Sequence, residues 1–362
     1  MSVLSERPGF NKAARQHYLS LAKGSVCLVT YIWIDITGEY LQCKTKILDT
    51  EPSGVKDIPE WDASWLRDGR VNEVLLVPVR MFRDPFNLDP NKLVLCEVLD
   101  SNCVPTETNQ RSQCAKVMEQ VRQFHPWFGL EQEYRLFGLD GQLFGWPPQE
   151  SSATQGYCSE PTNRMYGRDI CTSHCNACLY AGVKICGTNP EGKPSLWEFQ
   201  VGPCEGIEIG DHLWVARYIL QRVCEDFGVV ATLDPKPIAT ARGTSGCHAN
   251  FSTEEMRSEG GLQHIEEAIR RLSKRHSQHL RVYDPHGGKD NQRRLTSQRC
   301  TSSFFDFSAA TAQRNVSVRI PGHVSRKGRG YLEDRRPAAN CDPYAVIRAL
   351  AETCLLGITG ED

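Results

Sequence analysis

The chain of 362 residues has almost no surplus charge and no long apolar run. No internal repeat or low-complexity tract is visible either. Its formal net charge is -2, so nothing electrostatic favours nucleic acid or an anionic membrane as partner. The longest apolar stretch, near 25–34, stops at Asp35 and falls short of the roughly 20 residues a bilayer-spanning helix needs. Met1 to Lys12 lacks the hydrophobic core of a secretory leader, and the expected compartment is the cytosol. The phosphate loop that runs from glycine through four residues to Gly-Lys-Ser/Thr is missing too, which excludes a P-loop nucleotide enzyme.

What is present is ordinary in bulk. Apolar residues make up 40% and charged residues 24%, enough apolar matter in a chain of this length for a large core and two domains. The 16 cysteines show no framework spacing and are read as reduced thiols. Cys171, His174, Cys175 and Cys178 cluster, but 167–182 reads as one helix. A single helix cannot wrap four such ligands around one ion, so these are expected to be buried small residues. The triplets Asn250-Phe251-Ser252 and Asn315-Val316-Ser317 carry no weight as glycosylation sites without a leader.

Periodicity divides the chain. A short amphipathic helix is expected over 10–22, ended by Gly24. Strands follow at 26–36, 40–46, 73–82 and 92–98, punctuated by glycine and proline. From 111–124 onward helices (211–227, 261–276, 343–356) alternate with strands (128–136, 196–201, 228–233). The Pro-, Gln- and Ser-rich stretch 148–160 reads as a surface loop. The fold class is therefore α+β, with boundaries expected at 1–23, 24–108 and 109–362.

The chemistry concentrates in carboxylates. Glu131 and Glu133 stand two apart in Phe128-Gly129-Leu130-Glu131-Gln132-Glu133-Tyr134. In a strand, residues two apart share a face, and two like charges on one face repel unless a cation sits between them. Glu198 and Glu205 follow in a second segment rich in Trp and Phe. Together these oxygens suit Mg²⁺ or Mn²⁺. His248, after a glycine-rich loop, offers an imidazole. A second feature is arginine: Arg293, Arg294, Arg299, Arg314, Arg319, Arg335 and Arg336. Arg314 and Arg319 flank a strand-like run and suit bidentate grips on phosphate or carboxylate. Acids and arginines together imply a Mg²⁺-nucleotide site.

Longer runs carry a family resemblance. Met81-Phe82-Arg83-Asp84-Pro85-Phe86, Lys92 to Val98, His125-Pro126-Trp127-Phe128-Gly129, Trp197 to Ile207, Gly210 to Arg217, Val223 to Val229, Asp234-Pro235-Lys236-Pro237 and Ser273-Lys274-Arg275-His276 resemble eukaryotic-type glutamine synthetase (glutamate–ammonia ligase). The resemblance runs from about residue 20 to the end. It implies an N-terminal β-grasp domain and a C-terminal catalytic domain, a guanido kinase-like α/β half-barrel. It also implies a homo-oligomer of two stacked five-membered rings, with active sites between neighbours. The implied reaction makes γ-glutamyl phosphate from ATP and glutamate, and ammonia then displaces phosphate. The implied metal ligands are Glu131, Glu133, Glu198, Glu205, His248 and Glu333. Arg314 and Arg319 would hold the transferring phosphate, and Arg294 and Arg335 the substrate carboxylate and phosphoryl group. Glu205, Asn250, Phe251, Ser252 and Tyr331 would contact nucleotide, with Trp127 near the base.

Three segments depart from the family. Its Asn-Phe-Asp-Gly-Ser-Ser loop is replaced here by a shorter Asp62 to Arg70, leaving Asp62 or Asp68 to accept the ammonium proton; losing a general base costs about 10²–10⁴ in rate. The flap's His-Glu-Thr-Ser reads Arg299-Cys300-Thr301-Ser302, and a thiol lacks a carboxylate's fixed charge unless its pKa falls. The glutamate loop reads Ala241-Arg242-Gly243-Thr244-Ser245-Gly246-Cys247-His248 where the family has Asn-Trp-Asn-Gly-Ala-Gly-Cys-His. The departures leave three readings: a working ligase, a paralogue that binds ATP and metal or builds rings without turnover, and a ligase for another amine.

Overall fold

β-Branched and aromatic residues crowd the first hundred positions, and they form one five-stranded sheet. The computed structural model describes residues 12–67, 70–146, 158, 165–193, 195–238, 243–297 and 300–357. Expectations for Asp68, Ala241, Arg242, Arg299 and most of the 148–160 loop lie outside these residues. Helix α1 (Lys12–Leu19) precedes strands β1 (Cys27–Ile34), β2 (Leu41–Leu48), β3 (Trp61–Arg67), β4 (Arg70–Arg83) and β5 (Lys92–Asp100). The sheet order is β2-β1-β5-β4-β3, with β1 and β5 parallel. Central β1, CLVTYIWI, is almost wholly buried, whereas edge strand β2 alternates and keeps Lys44 and Lys46 over the Trp61 ring.

One finding differs from the sequence reading. Residues 61–67, treated there as part of a loop, form β3, in register with β4 from Trp61↔Leu76 to Arg67↔Arg70. Trp61 stacks edge-on against Tyr31, whose hydroxyl donates to the Pro59 carbonyl at 2.7 Å. The aromatic pair supplies the hydrophobic anchor that a loop would lack.

The rest of the chain builds a second sheet and its helical backing. In order come α2 (Gln110–Gln120), β6 (Trp127–Gly138), α3 (Arg168–Ala181), β7 (Ile185–Pro190), β8 (Leu196–Glu205), α4 (Glu208–Phe227) and β9 (Val229–Thr232). Then follow β10 (Cys247–Ser252), α5 (Glu254–Arg257), α6 (Leu262–Lys274), α7 (His276–Val282), α8 (Lys289–Arg294), β11 (Ala309–Thr311), β12 (Val318–Ile320), α9 (Gly322–Lys327), β13 (Leu332–Asp334) and α10 (Pro343–Cys354). The curled half-barrel sheet runs β11-β12-β13-β10-β6-β8-β7, and β9 also pairs with β6. This is the α+β architecture expected, a β-grasp sheet followed by a half-barrel.

Helix α4 anchors the back of the second sheet. Its length is all but swallowed by the core, from Ile209 to Cys224, at about 1.5–3 kcal/mol for each large apolar side chain buried. Gly210 is required there: a Cβ would lie 2.3 Å from the Tyr344 ring, so α4 and α10 can meet only over a bare backbone. Asp211 binds that junction, accepting from Tyr344 Oη at 2.6 Å and from Arg111 Nε at 2.8 Å. Arg217, also buried, donates to Gln132 Oε1 and to the carbonyls of Cys341 and Ala339. It thereby fixes β6 from behind. In α3 Cys171 Sγ meets Thr188 Oγ1, His174 Nε2 meets the Ala216 carbonyl, and Cys178 Sγ lies 3.2 Å from the same His174 Nε2. Cys171, His174 and Cys178 are buried.

Candidate active site

Strand period two places the odd residues of β6 on one face. Even residues Leu130, Gln132, Tyr134 and Leu136 pack into the core behind, while Glu131 and Glu133 face the concave side. Their register decides their partners. His248 pairs opposite Glu131, Glu198 opposite Glu133, and Arg319 opposite Glu333. Two residues of strand separate the two acids by about 6.7 Å along β6, and their ligand atoms gather with different partners. Each heads its own cluster.

The first cluster is Glu131, His248 and Glu333, with ligand atoms within 4.8 Å of one another. His248 Nδ1 lies 3.4 Å from Glu131 Oε2 and 3.7 Å from Glu333 Oε1. Asn250 Nδ2 donates to Glu131 Oε1 at 2.8 Å. Glu333 has no exposure and is compensated by Arg319 Nε and by Arg335 Nη1, the latter at 2.7 Å. Burial, with Arg335 beside it, pushes His248 well below the usual imidazole pKa. A neutral ring keeps a lone pair for a cation.

The second cluster is Glu133, Glu191 and Glu198, again within 4.8 Å. Glu133 Oε2 accepts from the Gly246 N–H at 2.5 Å, and Glu191 Oε1 from Asn189 Nδ2 at 2.9 Å. Glu198 accepts from Gln200 Nε2. Burial first, then Glu131, Glu133 and Glu191, raises Glu198 to about 9. Burial and Glu133 raise Glu191 to about 7, and burial raises Glu133 against the pull of Arg294. Two buried acids and a half-buried one that resist joint ionisation are what a hard divalent cation relieves. The donor set fits such an ion in both clusters.

Glu191 was missed by the sequence reading. Its signal is faint: it lies in the β7–β8 turn, and only the hairpin register, Asn189↔Glu198 and Pro190↔Trp197, brings it back against Glu198. Glu205 joins neither cluster. It is exposed, opposite Trp127, and its Oε1 lies 3.0 Å from His125 Nδ1. Seven residues of strand, about 23 Å, separate it from Glu198.

The other expected residues sort by face. Asn250 and Ser252 share His248's side of β10, and Ser252 Oγ donates to the Gly330 carbonyl at 2.6 Å. The Phe251 side chain points the other way, fully buried against Phe128, and its backbone lies within the sheet between Phe128 and Leu332. Tyr331 lines a cavity of about 960 Å³ with Arg257, His323, Lys327 and Arg329. Trp127 is 41% exposed and carries the Arg257 guanidinium 4.0 Å above its ring.

Arg294, on α8, is buried; it donates to the Arg335 and Arg336 carbonyls at 3.1 Å, and burial pulls it down to about 10. Arg335 Nε donates to the Arg314 carbonyl at 2.9 Å and Nη2 to the Cys300 carbonyl at 3.5 Å. Arg314 itself lies outside β12, which starts only at Val318; it is exposed in the bend before that strand. The strand-like run expected at 314–321 is thus shorter, because Ser317 closes a loop onto Ser308 instead. Cys300 and Asp62 are both exposed.

The likeness to known proteins spans the same residues. Residues 107–278 match the family described as glutamine synthetase, catalytic domain. The chain is 57% identical over 368 residues to a glutamine synthetase of Xenopus laevis, covering 100% of this chain and 94% of that one. It is 57% identical over 358 residues to that of Homo sapiens (97% and 96% covered) and 56% identical to that of Mus musculus over the same span. The chain belongs to the glutamine synthetase family.

Proposed function

We propose that this chain is a glutamine synthetase, an ATP-dependent ligase that joins ammonia to glutamate and so makes glutamine. The observation that carries it is identity of 57% over essentially the whole chain with glutamine synthetases. The two acid clusters, each able to gather three ligand atoms, support it. The γ-carboxylate oxygen of glutamate attacks the terminal phosphorus of ATP and ADP leaves. Ammonia then attacks the acyl carbon, phosphate leaves, and the nitrogen sheds a proton.

In this reading Glu133, Glu191 and Glu198 hold one divalent cation, and Glu131, His248 and Glu333 another. Mg²⁺ or Mn²⁺ bound there supplies charge neutralisation for the phosphate oxygens. Arg319 and Arg335, both paired with Glu333, hold the phosphoryl group. Arg314 approaches from the rim. Arg294 receives the substrate carboxylate beside Gly246, where a Cβ would lie 2.3 Å from Arg294 Nη2. Asn250 and Ser252 face the nucleotide, with Phe251 packed behind them; Tyr331 and Trp127 flank the base. Glu205 serves this side through His125 rather than as a metal ligand.

The same reading extends to assembly and place. Strands at 27–100 and a helix beginning at Gln110 support domains of 24–108 and 109–362 after a short 1–23 segment. The exposed ammonia-side residues Asp62 and Cys300 support a site completed by a neighbouring subunit, in a homo-oligomer of two five-membered rings. Among the described residues no helix is long and apolar enough to cross a membrane, which supports the cytosolic assignment.

The test is a coupled assay with glutamate, ATP, Mg²⁺ and ammonium. Glutamine and ADP are expected in equal amounts. ADP release that needs no glutamate, or no release at all, contradicts the reading.

A further inference from the structure

Arg135 follows Glu131 and Glu133 on the same face of β6. It is 2% exposed, yet among the described residues its Nε and Nη2 have no hydrogen-bond acceptor. Charged groups so deeply buried are otherwise paired, and an arginine fork is built for a carboxylate. Burial lowers the Arg135 pKa to about 10, against the pull of Glu133. No ion pair between the two falls within contact distance among the described residues.

What Arg135 does touch is the loop of the acid end. At Gly243 (φ +125°) an added Cβ would lie 3.3 Å from Arg135 Nη2 and 2.7 Å from the Lys193 stem. Three residues on, Gly246 is pressed the same way against Arg294. One short segment, 243–246, therefore lies between two buried guanidiniums. Arg135 stands one strand repeat beyond Glu133, about 6.7 Å along β6. That offset is comparable to the separation of the outer oxygens of a dicarboxylic amino acid whose reacting end lies at the Glu133 cluster.

We propose that Arg135 is a specificity-determining residue that receives the non-reacting α-carboxylate of the acid substrate, sharing it with Arg294 across the 243–246 segment. This rests on the glutamate-ligase reading. Its consequence is discrimination: an acid whose α-carboxylate is replaced by a neutral amide leaves the Arg135 donors unsatisfied and is rejected.

The experiment compares wild type, Arg135→Gln and Arg135→Lys, each with glutamate and with its α-amide. In Arg135→Gln, kcat/KM for glutamate is expected to fall about 10- to 100-fold. The value for the α-amide and the KM for ATP stay put, and Arg135→Lys recovers part of the loss. The ligand-free melting temperature of Arg135→Gln is expected to match or exceed wild type, because an unpaired buried charge has been removed. Equal losses for both acids, unchanged discrimination, or a fall in melting temperature together with weaker ATP binding overturns the proposal. Should wild type make no glutamine, the ligase reading fails by itself. Calorimetric titration of glutamate, with a non-hydrolysable ATP analogue present, then decides Arg135. Tighter binding by wild type than by Arg135→Gln supports it; equal or absent binding overturns it.

Discussion

Glu131 and Glu133 leave the same strand on the same face, yet their surroundings differ. The Glu131–His248–Glu333 cluster is compensated from within: Arg319 and Arg335 both meet Glu333. The Glu133–Glu191–Glu198 cluster has acids against acids, and Glu198 rises to about 9. In the first, ionised groups are balanced by protein cations. In the second, the balance comes from protons or from a bound metal. The fold is stable around the first cluster without help and is strained by the second until a cation arrives.

That contrast can be broken at either end. The largest effect is expected from Glu198→Gln, which should lower kcat/KM for glutamine formation by about 10³-fold. The same change should raise, or leave level, the metal-free melting temperature. Arg335→Ala should do the opposite to stability. It leaves Glu333, which has no exposure, with Arg319 as its remaining cation, and should cost about 1–3 kcal/mol in denaturant unfolding. If both substitutions destabilise the metal-free protein alike, the two clusters do not differ as described.

pH sharpens the same contrast. Glu191 and Glu198 have folded pKa values of about 7 and about 9, above the ordinary carboxylate 4.5. Between 4.5 and those values the native state holds protons that the unfolded chain has lost, so unfolding free energy falls as pH rises. Metal-free melting temperatures should therefore decline from pH 5 towards pH 9. Saturating Mg²⁺ should flatten the decline, because the cation replaces those protons and binds more tightly as they leave. An identical slope with and without Mg²⁺ would count against the assignment. A smaller effect is expected at the ammonia end. Cys300→Glu restores a carboxylate to the flap and should raise turnover at limiting ammonium by about tenfold, within the range for a general base.

Much of this site was legible because strand geometry is strict. The Glu-x-Glu spacing in an aromatic-rich run fixes a shared face, and β6 delivers it. Helix α3 ends where glycines stand, Gly167 and Gly182 both with positive φ. The illegible parts depend on register. Glu191 reaches its cluster only through the β7–β8 pairing, which slips between Ile185 and Gly187, and a slip of that kind has no sequence signature. Glu205 looked like a ligand because it follows a buried segment, but strand rise alone carries it too far from Glu198. Arg314 was expected in a strand that hydrogen bonding at Ser317 delays. Trp61 hid β3 among turn residues, since its partner Tyr31 is thirty residues away.

The most direct test is calorimetric titration of Mn²⁺ into the protein, with proton release followed in buffers of different ionisation heat. The account expects one ion for each cluster, with protons released only by the Glu133–Glu191–Glu198 site and that release abolished in Glu198→Gln. Mn²⁺ binding that is unaltered by Glu198→Gln and His248→Ala would contradict it.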